Sequence, residues 1–207
     1  MIKELKKLYP DWHTELIFKK PYEFLFAVIM SAQTTDKQVN EVTKNLFKKY
    51  KCLNDYIKAS PVEFEKDLSK IGLYKNKAKN ILLTAKILND KFNGAIPKTI
   101  EDLTSLPGVG RKTANLVLAE LFNIADGITV DTHVARLAWR FDLTDSKNDP
   151  VKIEKDLMEI LPKKDWLEFN GRLVLYGRYL CPARKHDCLS HPLTKVWPEA
   201  NNRWYIK

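Results

Sequence analysis

Apolar positions recur at helical spacing along nearly the whole chain. Val39, Val42, Leu46 and Phe47 share one helix face, and Ala78, Ile81, Leu82, Ala85 and Leu88 a second. Ile153, Leu157, Ile160 and Leu161 mark a third face, and Trp166, Phe169, Leu173, Tyr176 and Leu180 a fourth. The run Phe24 to Met30 is apolar on every side, which predicts a helix buried inside a bundle. No sustained period-two alternation bounded by hairpin turns occurs. Pro21, Pro61, Pro97, Pro107, Pro150 and Pro162 fall between the periodic stretches, where helices should start or stop. The fold class read from this pattern is all-α. No low-complexity linker and no repeat at a solenoid period interrupts it, so any lobes must be joined tightly.

Composition narrows the class. A chain of 207 residues suits one large domain or two small lobes, and 44% hydrophobic with 29% charged residues describes a chain that packs a core. The net charge of +9 favours a polyanionic partner, nucleic acid first, although lysine-rich chains can also be merely well solvated. No stretch is long and apolar enough to span a bilayer. Met1 to Pro10 alternates charged and apolar residues and does not read as a signal peptide. The three cysteines, Cys52, Cys181 and Cys188, are too few and odd in number for a secreted disulfide scaffold, so a reducing, intracellular setting is expected.

The stretch that carries chemistry is Leu106-Pro107-Gly108-Val109-Gly110-Arg111-Lys112, between a short helical segment (Ile100 to Leu103) and a longer one (Arg111 to Phe122). Two glycines two apart let the backbone turn sharply and approach a ligand. The turn opens into a helix N-terminus, where free N–H groups and the dipole favour an anion. In a basic protein that anion is a DNA phosphate, gripped without reading sequence; an ordinary helix–turn–helix corner is the plainer alternative. Lys112 lies in the first turn of the second helix beside Arg111. The dipole and that neighbour both disfavour its ammonium form, which suits a nucleophile. A surface lysine touching a phosphate is the plainer alternative.

Four segments together resemble the endonuclease III family. Leu106 to Asn115 (LPGVGRKTAN) looks like its helix–hairpin–helix, and Val130-Asp131-Thr132-His133-Val134 like its aspartate segment. Ser31-Ala32-Gln33-Thr34-Thr35-Asp36 resembles its Ser-Ala-Gln loop, and Ile71-Gly72-Leu73-Tyr74 its wedge loop. They occur in the family's order over most of the chain. The resemblance implies two helical lobes: a six-helix barrel over residues 16–123 with the helix–hairpin–helix, and a second lobe from residues 1–15 plus 124–207. A DNA-binding cleft would lie between them and take double-stranded DNA with the damaged nucleotide flipped out.

The resemblance further implies a bifunctional DNA glycosylase and AP lyase of base excision repair that removes damaged, oxidised pyrimidines and nicks the strand by β-elimination. Lys112 would attack C1′ of the sugar. Asp131 would stabilise the developing positive charge and assist deprotonation. The sequence Asp131-Thr-His-Val-Ala-Arg is also that of a helix N-cap. By resemblance Gln33 fills the gap left by the flipped base and Leu73 wedges open the opposite strand; as plain structure, Gln33 would bond a helix end and Leu73 would pack under Ala78. Gly108, Gly110 and Arg111 join the DNA contacts, and His133 reaches the base pocket unless it is structural. The run Lys75-Asn76-Lys77-Ala78-Lys79 reads as a solvated face that can also meet phosphates. The alternatives are a glycosylase of the same fold for mismatched or deaminated pyrimidines or alkylated purines, and a non-catalytic DNA-binding module. A cytoplasmic, nucleoid-associated monomer without membrane contact is expected.

The C-terminal region departs from the family pattern, four cysteines spaced C-x6-C-x2-C-x5-C around a 4Fe-4S cluster. Cys181 and Cys188 keep the first spacing, while His191 and Trp197 stand at the third and fourth positions. Clusters are normally held by four cysteines, so the expectation is no cluster and no metal. Aromatic packing by Trp197, Trp204 and Tyr205 would anchor the tail instead. Zinc at Cys181, Cys188 and His191, with His186, is the alternative by ligand type, though the spacing fits no common zinc motif.

Overall fold

The computed structural model describes residues 1–204, so Tyr205 and its expected packing lie outside the described residues. Among the described residues there are twelve α-helices and no strand. In chain order they are α1 (Ile2–Leu8), α2 (Pro21–Ser31), α3 (Asp36–Lys49), α4 (Leu53–Ile57), α5 (Pro61–Asp67) and α6 (Tyr74–Phe92), then α7 (Ile100–Thr104), α8 (Arg111–Phe122), α9 (Thr132–Arg140), α10 (Pro150–Ile160), α11 (Trp166–Leu175) and α12 (Pro192–Val196). The chain divides into two compact units: Thr14–Phe122, and Met1–His13 with Asn123–Lys207. None of the described helices is long and apolar enough to cross a membrane.

The continuous unit is built around α2. Pro21 opens that helix at its first position, and the Glu23 carboxylate accepts hydrogen bonds from the Lys19 and Lys20 amides at 2.7 and 3.0 Å. Phe24 to Met30 are all buried, as an apolar run without a polar stripe requires. Helices α3, α6 and α8 pack on α2. Beside it an aromatic cluster closes the core, with Phe26 and Tyr56 centroids 4.9 Å apart and Tyr50 and Phe64 5.2 Å apart. Each such buried side chain contributes about 1.5–3 kcal/mol of transfer free energy. Thr35 caps α3 through the Gln38 amide, and Thr99 caps α7 through the Asp102 amide.

The second unit joins α1 to α9–α12. Leu5 is wholly buried in its core with Leu137, Leu157, Phe169, Leu173 and Tyr176. Asp131 and Asp149 cap α9 and α10. Ile160, assigned to an apolar face by periodicity, is exposed because α10 ends there. Arg172 ties the N-terminal segment to α11 by donating to the Tyr9 and Pro10 carbonyls at 2.7 and 2.8 Å. Trp12 packs against Gly171, where a Cβ would come within 2.0 Å of the indole. From Tyr176 to Leu180 the helical path continues as one wide π turn.

Candidate active site and nucleic-acid interface

The hairpin between α7 and α8 is fixed from beneath by Leu103, Leu106 and Val109, all buried. The Val109 amide donates to the Leu106 carbonyl at 3.1 Å, and the Thr84 hydroxyl of α6 donates to the Pro107 carbonyl at 3.2 Å. The two glycines have different reasons. Gly108 has φ +79°, and a Cβ there would lie 2.7 Å from Asn80 Nδ2 and 3.2 Å from Asn80 Cβ. Gly110 has open space around it, and its carbonyl accepts the first helical bond of α8, from the Ala114 amide at 2.9 Å. Arg111 and Lys112 are both exposed on the first turn of α8. The first-turn amides have no intrahelical acceptors, so this corner is suited to an anion.

Gln33 and Leu73 belong to the same unit as the hairpin. Among the described residues, five non-glycine residues have positive φ: Gln33, Leu73, Asn93, Asn123 and Asp142. Asn and Asp tolerate that region; Gln and Leu do so far less readily. Holding each there costs about 1–3 kcal/mol, which is characteristic of functional loops. Leu73 does not pack under Ala78: it is 62% exposed at the N-terminus of α6, while Ala78 is buried. Gln33 is exposed as well, and caps no helix; Thr35 does that for α3. Gly72 brings the loops together, since a Cβ on it would sit 3.5 Å from the Gln33 carbonyl oxygen and 3.6 Å from Thr34 Oγ1. In the lysine run, Lys75 and Lys79 are exposed, but Lys77 is buried. It falls on the face of Ile81, Ala85 and Leu88, so the helical period carried a signal that the charge run hid.

Asp131 and His133 lie in the other unit. Asp131 is the N-cap of α9: its Oδ1 accepts from the His133 and Val134 amides at 2.9 and 2.8 Å, and its second oxygen takes no part in the cap. His133 is half-buried, with its Cβ packed against Gly177 and Nδ1 3.3 Å from Arg136 Nη2. Burial holds its pKa below the usual histidine value, against the opposing pull of Asp131.

The expectation that the tail holds no metal is corrected. The ligand atoms of Cys181, His186 and His191 all lie within 4.8 Å of one another. The His186 and His191 rings are 5.1 Å apart, and the buried His186 Nε2 and His191 Nδ1 have no hydrogen-bond partner. Buried polar atoms are rarely left so, and a metal ion would satisfy both. Linear spacing misled because the segment folds back, bringing in His186, which lies outside the four-position pattern. The present donors, thiol and imidazole, fit a single borderline ion or a mixed-ligand cluster. Cys188 stands close by, since the buried Arg140 guanidinium donates to Cys181 Sγ at 2.8 Å and to Cys188 Sγ at 2.9 Å. Burial pushes the Cys181 thiol pKa up, and Arg140 and Arg136 pull it back. Trp204 does brace this region, stacking 3.8 Å from the Arg140 guanidinium carbon and edge-on to His186; Trp197 remains 39% exposed. Arg140 had no sequence signal beyond its place on the α9 face.

Residues 26–163 match the profile of the HhH-GPD superfamily base excision DNA repair proteins. The chain is 43% identical to endonuclease III of Synechocystis sp. over 95% of its own length and 89% of the relative's. It is 41% identical to endonuclease III of Bacillus subtilis with the same two coverages, 95% and 89%. Among solved structures it is similar to a trapped endonuclease III–DNA covalent intermediate, with a TM-score of 0.88 and 44% identity over 98% of this chain and 94% of that one. A folded helix–hairpin–helix and this likeness along nearly the whole chain make it a member of the endonuclease III family, within the HhH-GPD superfamily.

Proposed function

We propose that Lys112 and Asp131 carry the reaction of this base excision DNA glycosylase and AP lyase, with oxidised pyrimidines in double-stranded DNA as substrate. The observation that carries this reading is the hairpin: a turn locked by buried residues presents an exposed lysine on the first turn of a helix suited to phosphate. The free-amine form of Lys112 attacks C1′ of the flipped nucleotide. The C1′–N bond breaks and the base leaves with its electron pair, taking up a proton. The carboxylate of Asp131 stabilises the positive charge that develops on the sugar. Its second oxygen is outside the cap, which leaves it available for this while Oδ1 holds α9. Ring opening gives a Schiff base between Nζ and C1′. Loss of a C2′ proton then breaks the C3′–O bond and expels the 3′ phosphate.

Gln33 and Leu73 enter the duplex in this reading, and Gly108, Gly110, Arg111 and His133 complete the DNA contacts. A metal at Cys181, His186 and His191 would tie the tail together, and no chemical step passes through it. The protein acts as a monomer on chromosomal DNA in the cytoplasm.

Borohydride trapping tests the assignment. The unaltered protein should crosslink to DNA with an oxidised pyrimidine, and Lys112→Gln should not. A crosslink or nick by the Gln variant would remove Lys112 from the mechanism. Asp131→Asn should keep DNA binding and lose most base excision; unchanged excision would leave Asp131 a cap alone.

A further inference from the structure

Lys77 is a buried charged side chain that the proposed chemistry leaves unused, and its surroundings are specific. It lies in the first turn of α6, 4% exposed. Its backbone amide donates to the Leu73 carbonyl at 3.2 Å. Its Nζ donates to the Met30 carbonyl at 2.8 Å, the Ala32 carbonyl at 2.5 Å and Thr34 Oγ1 at 3.1 Å. Three ammonium protons therefore have three acceptors, and none of the three is a carboxylate. Two are carbonyls at the C-terminus of α2, where helical carbonyls lack partners and the dipole favours a cation. Burial pushes the Lys77 pKa down.

The side-chain acceptors bracket Gln33, and Lys77 stands one helical turn after Leu73, so its side chain ties the start of α6 to the Gln33 loop. These two are the described residues with positive φ that are not Gly, Asn or Asp. A strained backbone persists only where its surroundings hold it. We infer that Lys77 is a positioning residue that locks the Gln33 and Leu73 loops into one preformed, duplex-penetrating unit. The inference rests on the reading of Gln33 and Leu73 as the residues that enter the DNA. The loops meet the duplex already shaped, so DNA does not have to order them on binding. A methionine could fill the space of the lysine stem but would leave the three acceptors unpaired.

The test uses the full-length protein and AP lyase activity on the same abasic strand, single or paired, with 2-aminopurine opposite the abasic site. Lys77→Met and the milder Thr34→Val are compared with Gln33→Ala and Leu73→Ala. Lys77→Met should lower kcat/KM on the duplex by about tenfold, and Thr34→Val by about threefold, with single-strand cleavage nearly unchanged. The 2-aminopurine brightening that reports unstacking should fall in parallel. Pairing Gln33→Ala with Leu73→Ala should give non-additive losses in the unaltered background and additive ones beside Lys77→Met. If Gln33→Ala and Leu73→Ala lose duplex cleavage while Lys77→Met and Thr34→Val do not, the locking role is wrong and the duplex-entry reading stands. If the two loop variants keep duplex cleavage and brightening, the duplex-entry reading fails and takes the inference with it. Equal losses on single and paired strands would make Lys77 a fold determinant only. If Lys77→Met does not fold, Thr34→Val decides.

Discussion

Substituting alanine for each hairpin glycine separates what the backbone needs from what a ligand needs. In Gly108→Ala the new Cβ must accept φ +79° and sits 2.7 Å from Asn80 Nδ2 and 3.2 Å from Asn80 Cβ. The left-handed backbone costs about 1–2 kcal/mol. Crowding against a helix side chain adds about 1–2 kcal/mol. For a protein of this size the sum of about 2–4 kcal/mol corresponds to a fall in Tm of about 5–15 °C. In Gly110→Ala the Cβ enters open space, so Tm should stay within about 2 °C. Asn80→Ala beside Gly108→Ala removes the amide contact and keeps the Cβ contact and the backbone cost, so it should restore part of the loss. Thermal unfolding by circular dichroism reads all four proteins. Anisotropy with a fluorescent abasic duplex adds the second half: Gly110→Ala should bind about tenfold more weakly if a phosphate approaches this backbone. A Gly108→Ala protein that melts with Gly110→Ala would refute the steric reasoning. Full affinity in Gly110→Ala would refute close approach of the phosphate at that residue.

Three further outcomes follow from the second unit. Gly171→Ala places a Cβ within 2.0 Å of the Trp12 ring and should cost about 2–4 kcal/mol, with partial recovery beside Trp12→Ala; an unchanged urea midpoint would contradict the contact. Protein as purified should carry metal by elemental analysis, about one equivalent for a single ion and more for a cluster, and its removal by a chelator should lower Tm by about 5–10 °C; Cys181→Ser with His191→Ala should abolish both, and metal retained by that variant would place it elsewhere. Burial depresses the His133 pKa below 6.5, so below that pH the unfolded chain binds the proton more readily. The stability it contributes is complete above about pH 6.5 and lost as pH falls towards the folded-state value. His133→Gln should flatten the Tm profile between pH 7.5 and 5, and an unaltered slope would exclude His133 as its source.

The all-helical fold was legible because burial imposes a period on sequence. The Phe24–Met30 run and the Ala78, Ile81, Ala85 and Leu88 face are buried as the pattern requires. Local chemistry was legible where one segment contains it all, as with the turn at Gly108 and the cap at Asp131. What escaped depends on distant segments. Lys77 looks solvated in a lysine run until the end of α2 and the loop after it supply its three acceptors. The Cys181, His186 and His191 donors are legible as metal-ligand types, but their spacing matches no common motif, and only the folded loop brings their ligand atoms within 4.8 Å of one another. Arg140 acquires its meaning only once both sulfurs and the Ala200 carbonyl surround it.

The division of the chain has a consequence for biosynthesis. Leu5 reaches the ribosome exit first, yet every other buried residue of its core lies beyond Phe122. At about 5–20 residues per second, α1 waits roughly 5–20 s while residues 14–122 emerge. That intervening stretch is contiguous and holds its own core, so it can collapse during translation. The first helix meanwhile lacks its core partners, because α9 to α12 are made only afterwards.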